Sequence, residues 1–303
     1  MSRIVPNLWF SGNAEAGARL YVEAFRDSHT EVSSRYPDTG LPDFQSGMAG
    51  KPLTVEVVIG GQRLTLINAG EEFRPNPSLS LMVNFDPSVV PDARDYLDQV
   101  WARLTEGGTV LMELGSYPFS EHYGWVEDKY GVSWQLILTN PAGQARPFLI
   151  PSFVFGGPVQ NRATEAVQYY TGVFDEVFGN SHPGTTVSYP ATDGPAEAGA
   201  LMFGDFTLAG QWLVAMDSGT EVTESFTPGF SLVVRCADQD QIDRMWSALS
   251  AVPQAEQCGW CVDRFGVSWQ VVPAALDGAP MSPESYRAVL GMKKLVIADI
   301  PGL

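Results

Sequence analysis

Tyr130-Gly131-Val132-Ser133-Trp134-Gln135-Leu136-Ile137 recurs, little changed, as Phe265-Gly266-Val267-Ser268-Trp269-Gln270-Val271-Val272. Just ahead, Gly124-Trp125-Val126-Glu127-Asp128-Lys129 matches Gly259-Trp260-Cys261-Val262-Asp263-Arg264 at the same spacing. Two such runs, 135 residues apart from Trp125 to Trp260, mark an internal repeat. Outward from them the landmarks continue to pair: Leu20-Tyr21 and Phe25 with Tyr169-Tyr170 and Phe174, Ser80 with Ser231, and Trp101 with Trp246. The separation falls from 149 (Tyr21 to Tyr170) through 145 (Trp101 to Trp246) to 135, so the second copy lacks about ten residues between Leu249 and Trp260. The missing piece corresponds to residues 110–115, which read as a strand, and a strand is dispensable where it lies at a sheet edge. The Pro- and Gly-containing stretch from Asn140 to Pro147 is the natural linker. The expected division is therefore residues 1–140, a linker at 141–147, and residues 148–303 ending in a helical tail.

Within one copy the hydrophobic periods switch between those of helices and strands. Asn13 is placed to cap a helix whose stripe is Ala14, Ala18, Tyr21 and Phe25. Leu53, Val55, Val57 and Ile59 alternate with Thr54, Glu56 and Val58 as a half-buried strand does. Gly60-Gly61 then permits a tight hairpin into residues 62–67. A second unit repeats the pattern, with a strand over 79–85 and a helix on Ala93, Tyr96, Leu97, Val100, Trp101 and Leu104. Strands near 110–117, 123–127 and 132–138 complete it. The second copy shows helical stripes at Ala163, Val167, Tyr170 and Phe174 and at Ile242, Met245, Trp246 and Leu249. The fold class is α+β: paired βαβββ modules whose helices cover one face of mixed, cup-shaped sheets, in two tandem copies.

Composition narrows the partners. Eighteen basic against thirty-five acidic residues give a net charge of −17, which repels phosphate backbones and anionic lipid surfaces. Nucleic acid and membranes are thus excluded as partners, and a small-molecule ligand or substrate is left. No apolar stretch approaches the roughly 18 residues of a membrane span, and Pro6 interrupts the only place a leader's apolar core could run. Cys236, Cys258 and Cys261 are odd in number and all in the second half, so no disulfide framework is implied. A cytoplasmic protein is expected.

Paired βαβββ units opening with Pro6-Asn7-Leu8-Trp9-Phe10 resemble the vicinal-oxygen-chelate superfamily, which has the glyoxalase/bleomycin resistance/dioxygenase fold. The closing runs, Trp125-x-x-Asp128-x-Tyr130-Gly131-Val-Ser-Trp-Gln135 and Cys258-Gly259-Trp260-x-x-Asp263-Arg264-Phe265-Gly266-Val-Ser-Trp-Gln270, are similar to its PhnB-like family, often labelled demethylubiquinone methyltransferase. Ser231, Gln239-Asp-Gln-Ile-Asp243 and Met292-Lys-Lys-Leu295 are further points of similarity. The methyltransferase label has no support in the residues. Gly60-Gly61 and Gly107-Gly108 fall at turns, outside the strand–glycine turn–helix context of an adenosyl-cofactor site. A single-copy relative is expected to pair with itself, so the tandem chain is expected to be a monomeric pseudo-dimer or a homodimer.

The resemblance also implies a divalent metal bound by His or Glu on the cup side of the strands. Strand parity places Val5, Asn7 and Trp9 there, with Ser80, Met82 and Asn84, and Ser133, Gln135 and Ile137. The second copy offers Ser152 and Val154, then Ser231, Val233 and Arg235, then Ser268, Gln270 and Val272. Gln135 and Gln270 stand where the resemblance implies the metal-binding Glu, and Ser80, Ser231 and Val5 stand near the other ligand positions. A carboxamide, a hydroxyl and a valine supply no metal site, so no metal and no cofactor are expected.

The ligand-binding candidates are Asn7, Trp9, Ser80, Asn84, Trp125, Gln135, Ser231, Trp260 and Gln270, aromatic walls with a few amides that suit a flat or apolar molecule. His122 is the weak candidate for an acid or base at a cup rim. Glu56 and Glu113 read as outward, solvated carboxylates, and His29 and His182 as residues of polar turns. Cys258-x-x-Cys261 points its two thiols to opposite faces of a strand. Function is read first as a binding protein with a metal-free cup. A metal-independent enzyme on a small organic substrate is the alternative, and a metal-dependent isomerase or dioxygenase comes third.

Overall fold

A computed structural model describes residues 2–276 and 281–303. The opening unit comprises β1 (Ile4–Phe10), α1 (Ala14–Ala24), β2 (His29–Arg35), β3 (Pro52–Ile59) and β4 (Gln62–Asn68). The next comprises β5 (Leu79–Phe85), α2 (Ala93–Leu104), β6 (Thr109–Tyr117), β7 (Ser120–Glu127) and β8 (Ser133–Leu138). The second half supplies β9 (Leu149–Phe155), α3 (Ala163–Phe178), β10 (His182–Ser188), β11 (Leu201–Leu208) and β12 (Gln211–Asp217). It ends with β13 (Phe230–Cys236), α4 (Gln239–Leu249), β14 (Trp260–Val262), β15 (Ser268–Pro273) and α5 (Pro283–Gly291).

The two halves do not each keep their own sheet. The first sheet runs β14-β15-β13-β1-β4-β3-β2, and the second β10-β11-β12-β9-β5-β8-β7-β6. Each therefore joins the opening unit of one half to the closing unit of the other, through antiparallel β1–β13 and β5–β9 pairs. Every cup is thus made by both copies. His29 and His182, read as turn residues, begin the edge strands β2 and β10.

Helix-facing side chains from both sheets, among them Leu8, Leu66, Leu81, Trp134, Phe153, Leu213, Leu232 and Trp269, belong to one contiguous core. At its centre the repeated motif closes the same knot twice. Asp128 Oδ1 accepts from the backbone N–H of Tyr130 (2.8 Å) and Val132 (3.2 Å). Its Oδ2 accepts from the Trp134 indole (2.9 Å) and the Tyr21 hydroxyl (2.9 Å). Asp263 repeats this with Phe265 and Val267, with the Trp269 indole (2.8 Å), and with Tyr170 (2.7 Å). Tyr21 rides on the helix of the first sheet while Asp128 belongs to the second, so each knot ties one half together across two sheets.

Asn13 makes no side-chain cap on α1. Instead Asn68, at the end of β4, accepts from Ala14 N (2.8 Å), and Asp217 does the same for Ala163 in α3 (3.1 Å). The shortened closing unit reduces β14 to three residues, and β6, its missing counterpart's equivalent, lies at the edge of the second sheet. Helix α5 stops at Gly291. Beyond it the carbonyls of Met292 and Lys293 accept from Cys258 N and Gly259 N (2.8 Å each), so the tail runs beside the approach to β14.

Burial pushes Asp128 and Asp263 above the usual aspartate range, against the hydrogen bonds that hold each down. The folded state then takes up a proton before the unfolded chain does. The cost of the charged form is present above the folded pKa, and it is relieved as pH falls from there toward the unfolded value of about 3.9. Urea titrations should show the wild type gaining stability relative to Asp263→Asn as pH is lowered through that window. At pH 7, Tyr21→Phe should cost roughly 1–2 kcal/mol, because it leaves one lone pair of a buried carboxylate without a donor.

Candidate functional site

On the face turned away from the helices, the first sheet carries a continuous row Ser268–Ser231–Asn7–Thr65–Glu56, each residue the register partner of the next. The adjacent row runs Trp260–Gln270–Val233–Val5. Gln270 Nε2 donates to Ser231 Oγ (2.9 Å). Among the described residues, Asn7 Oδ1 and Ser268 Oγ are buried with no hydrogen-bond partner. Trp9 stands edge-on to Trp260 (6.0 Å between ring centres) and to Phe73 (5.1 Å), with its indole N–H on Gly70 O (2.8 Å). Glu56 is buried here and accepts from Arg63, which corrects the expectation of an outward, solvated carboxylate. Arg235, two residues beyond Val233 on the same face, is buried as well. Ile67 of this face packs with Tyr36, Leu53 and Tyr286, so α5 covers the Trp9 end of the cup.

The second cup has the matching row Ser133–Ser80–Ser152–Val214–Asp205 and, beside it, Trp125–Gln135–Met82–Ile150. Its polar groups serve one another. Gln135 Nε2 donates to Ser80 Oγ (2.7 Å), its Oε1 accepts from the Tyr123 hydroxyl (2.9 Å), and the Trp125 indole donates to Ser133 Oγ (2.7 Å). Asn84 Nδ2 is engaged by Pro147 O (2.8 Å) in the linker. Buried Asp205 is paired with Arg146, also from the linker, and accepts from Thr185 N (2.7 Å). What remains is hydrocarbon. Met82, Ile150 and Val214, with Ile137, Phe203, Trp212 and Met216, form a hydrophobic cluster separate from the main core. A cavity of about 180 Å³ opens over Met82, Asn84, Ile137, Phe203 and Val214, with Phe119 at its side and the polar Asp86, Gln144 and Arg146 also on its wall. Another of about 310 Å³ lies against Trp125, Val154 and Val222.

The expected ligand residues therefore divide in two: Asn7, Trp9, Ser231, Trp260 and Gln270 line the first cup, and Ser80, Asn84, Trp125 and Gln135 the second. His122 joins neither. Its Nε2 lies 2.6 Å from Asp98 Oδ1 on α2, on the helix side of β7, rather than at a cup rim. Glu113 is exposed. Cys258 donates its thiol toward Leu290 O, while Cys261 is buried in the core, where burial pushes its thiol up to about 12. Sequence reasoning missed Ile150, Phe203, Trp212, Val214, Met216 and Arg63; it placed Arg235 on the cup side without making it a ligand candidate, and it read Glu56 as solvated. Their signal was available in the repeat: carried through β3 and β4, it sets Arg63 against Trp212 and Thr65 against Val214.

The donor set does not fit the metal that the fold implies. The positions concerned hold Val5, Asn7, Ser231 and Gln270 in one cup and Ile150, Ser152, Ser80 and Gln135 in the other. Among the described residues, no three His, Cys, Asp or Glu side chains converge. An adenosyl cofactor fits no better: Gly60-Gly61, at φ +54° and +76°, turns the β3–β4 hairpin, and Gly107-Gly108 links α2 to β6. Dialysis against EDTA should leave the thermal midpoint unchanged within about 1 °C, and added Ni²⁺ or Zn²⁺ should not raise it; differential scanning calorimetry checks both.

The family model for 3-demethylubiquinone-9 3-methyltransferase matches residues 2–137 and again 148–272. No curated protein matches the chain by sequence. Among solved structures, the PhnB protein of Bacillus cereus is 33% identical over 46% of this chain and 100% of its own, at a TM-score of 0.39. A protein from Pseudomonas aeruginosa is 23% identical over 46% of this chain and 98% of its own, at a TM-score of 0.38. Glyoxalase I from Zea mays covers 90% of this chain and 94% of its own at a TM-score of 0.51 and 10% identity, a likeness of fold with its two tandem modules. With both halves matched by one family model, the chain belongs to the PhnB-like 3-demethylubiquinone-9 3-methyltransferase family, of vicinal-oxygen-chelate fold.

Proposed function

We propose that this protein is a binding protein whose second cup holds a small, flat or apolar organic molecule without a metal. One observation carries this reading: the second cup gathers Met82, Ile150, Val214, Ile137, Phe203, Trp212 and Met216 on the side of the sheet away from the main core, next to a cavity of about 180 Å³. Apolar side chains on that side gain nothing from the helices. They are stabilised by whatever excludes water from them, and a hydrocarbon ligand does so. Gln135, Ser80, Ser133 and Asn84 beside them are already hydrogen-bonded, and Arg146 is paired with Asp205, so these groups set the rim without asking for charge on the ligand. Two cups completed by one chain make it its own pseudo-dimer, and no second copy is required. Free cysteines and the absence, among the described residues, of a helix long and apolar enough to cross a membrane accord with work in the cytoplasm.

The test is titration with 1-naphthol followed by its own fluorescence. Saturable one-site binding is expected, and Val214→Trp or Met82→Trp, which fill the cavity from two strands, should each weaken it at least roughly tenfold while the fold persists. Undiminished naphthol affinity in both variants, or no saturable binding to the wild type, would count decisively against this cup.

A further inference from the structure

The repeat aligns the two cups residue by residue, and at one end they differ in how much ring they hold. In the first, Trp260 is met edge-on by Trp9, and Phe73 stands against Trp9 in turn, so three rings share that end. Trp125 is the counterpart of Trp260: each is the register partner of the motif's glutamine, Gln135 or Gln270. The counterparts of the other two rings are valines. β1 and β9 set Trp9 against Val154, just as they set Asn7 against Ser152. After β4, Ala69-Gly-Glu-Glu-Phe73 aligns with Ser218-Gly-Thr-Glu-Val222 after β12. Trp125, Val154 and Val222 all lie on the wall of the cavity of about 310 Å³. Where large side chains give way to small ones the surroundings relax only in part, and space stays open.

Pockets for small organic molecules begin at about 300 Å³, so this cavity suits one ring system with a short arm. Trp125 is partly exposed, and its indole N–H is held by Ser133 Oγ (2.7 Å), which fixes the ring. Pro77, Val154 and Val222 supply further hydrocarbon. Among the described residues on the wall, the charged ones are Glu221 and Glu224, both exposed, and none is basic. Glu127 pairs in register with Ser133 and so shares the cup face with Trp125. It is partly buried, and burial first, then the charges of Asp128 and Glu224, push its carboxyl above the ordinary glutamate range. The face of an indole attracts a cation within about 6 Å. Carboxylates at the mouth add to that pull over a screening length of about 8–10 Å.

We propose that this end of the second cup is a site for a small aryl-alkyl ammonium ion, with its ring against Trp125 in the space that Trp9 and Phe73 occupy in the first cup, and its ammonium toward Glu221 and Glu224. The wall shares no residue with that of the cavity over Met82, so the site does not depend on what fills that cavity. The first cup, with rings of its own at the equivalent end, takes no such ligand there.

The probe is tryptamine, an indole with an ethylammonium arm, titrated calorimetrically into the full chain. One-site binding is expected, roughly fivefold or more tighter than for 3-methylindole, which lacks the charge. Raising the ionic strength from about 0.01 to 1 M should weaken tryptamine and spare 3-methylindole. Val154→Trp restores the ring that stands at Trp9 and should lower tryptamine affinity at least roughly tenfold, whereas Val214→Trp, in the other cavity, should leave it unchanged. Glu221→Gln combined with Glu224→Gln, both exposed, should keep the fold and cut the preference for tryptamine over 3-methylindole roughly threefold. Should Val154→Trp fail to fold, Val222→Phe on the β12–β13 loop fills the same space. The proposal is overturned if tryptamine does not bind, if it binds no better than 3-methylindole, if the folded filling variant leaves its affinity unchanged, or if Val214→Trp abolishes binding and so places tryptamine over Met82. Loss of 1-naphthol binding in Val214→Trp bears only on the cavity over Met82, so either site can fail without the other.

Discussion

Two buried aspartates hold this architecture. Asp128 and Asp263 each gather two backbone N–H groups, an indole and a phenol, and each lies on one sheet while its phenol rides on the helix of the other. Removing a carboxylate from water is costly unless its lone pairs are filled, and four donors fill them here. The knot explains why Trp, Asp, Gly, Ser and Trp recur at fixed spacing: the aspartate closes the turn through its first oxygen and reaches across the core with its second. A motif that reads as a family signature is thus a structural fastening, and its conserved look within the chain says nothing about chemistry in the cups.

Because each knot spans two sheets, the halves are interleaved rather than set side by side. The antiparallel β1–β13 and β5–β9 seams place strands of both copies in every cup. A duplication arranged this way leaves two sites that are equivalent in topology yet free to differ in side chains. One is lined mostly by hydrocarbon, with its amides and hydroxyls engaged and its Asp205 paired to Arg146, and the other keeps hydroxyls, an amide and the charged Glu56, Arg63 and Arg235. Segments outside the repeat reinforce the difference. The linker sends Arg146 to Asp205 and Pro147 O to Asn84 in the second cup, whereas α5 lies over the Trp9 end of the first.

Much of this was legible in the residues alone. The repeat, the βαβββ order, the strand parity that puts Asn7, Ser231 and Gln270 on one face, and the poverty of metal donors all follow from local periodicity and spacing. The loss of one edge strand from the second copy was legible in the drifting offset. Other features were not. Asn13 has the right residue type to cap α1, yet Asn68 takes the role from 54 residues away. Glu56 alternates with apolar neighbours as a solvated residue would, yet Arg63 on the next strand keeps it inside. His122 stands beside cup aromatics in sequence, yet its partner is Asp98 of α2, a contact that only the packing of that helix on β7 decides.

By itself the sequence determined which side chains share a face, since a strand's two-residue period and a helix's turn are properties of the local backbone. Which strands lie beside one another, and so which faces add up to a cup, was decided only in the tertiary structure. Pairing β1 with β13 rather than with β5 depends on where loops, helices and buried knots let two distant segments meet, and no local period encodes that. The contents of each site are therefore a local inheritance, while the sites themselves are a product of the whole chain.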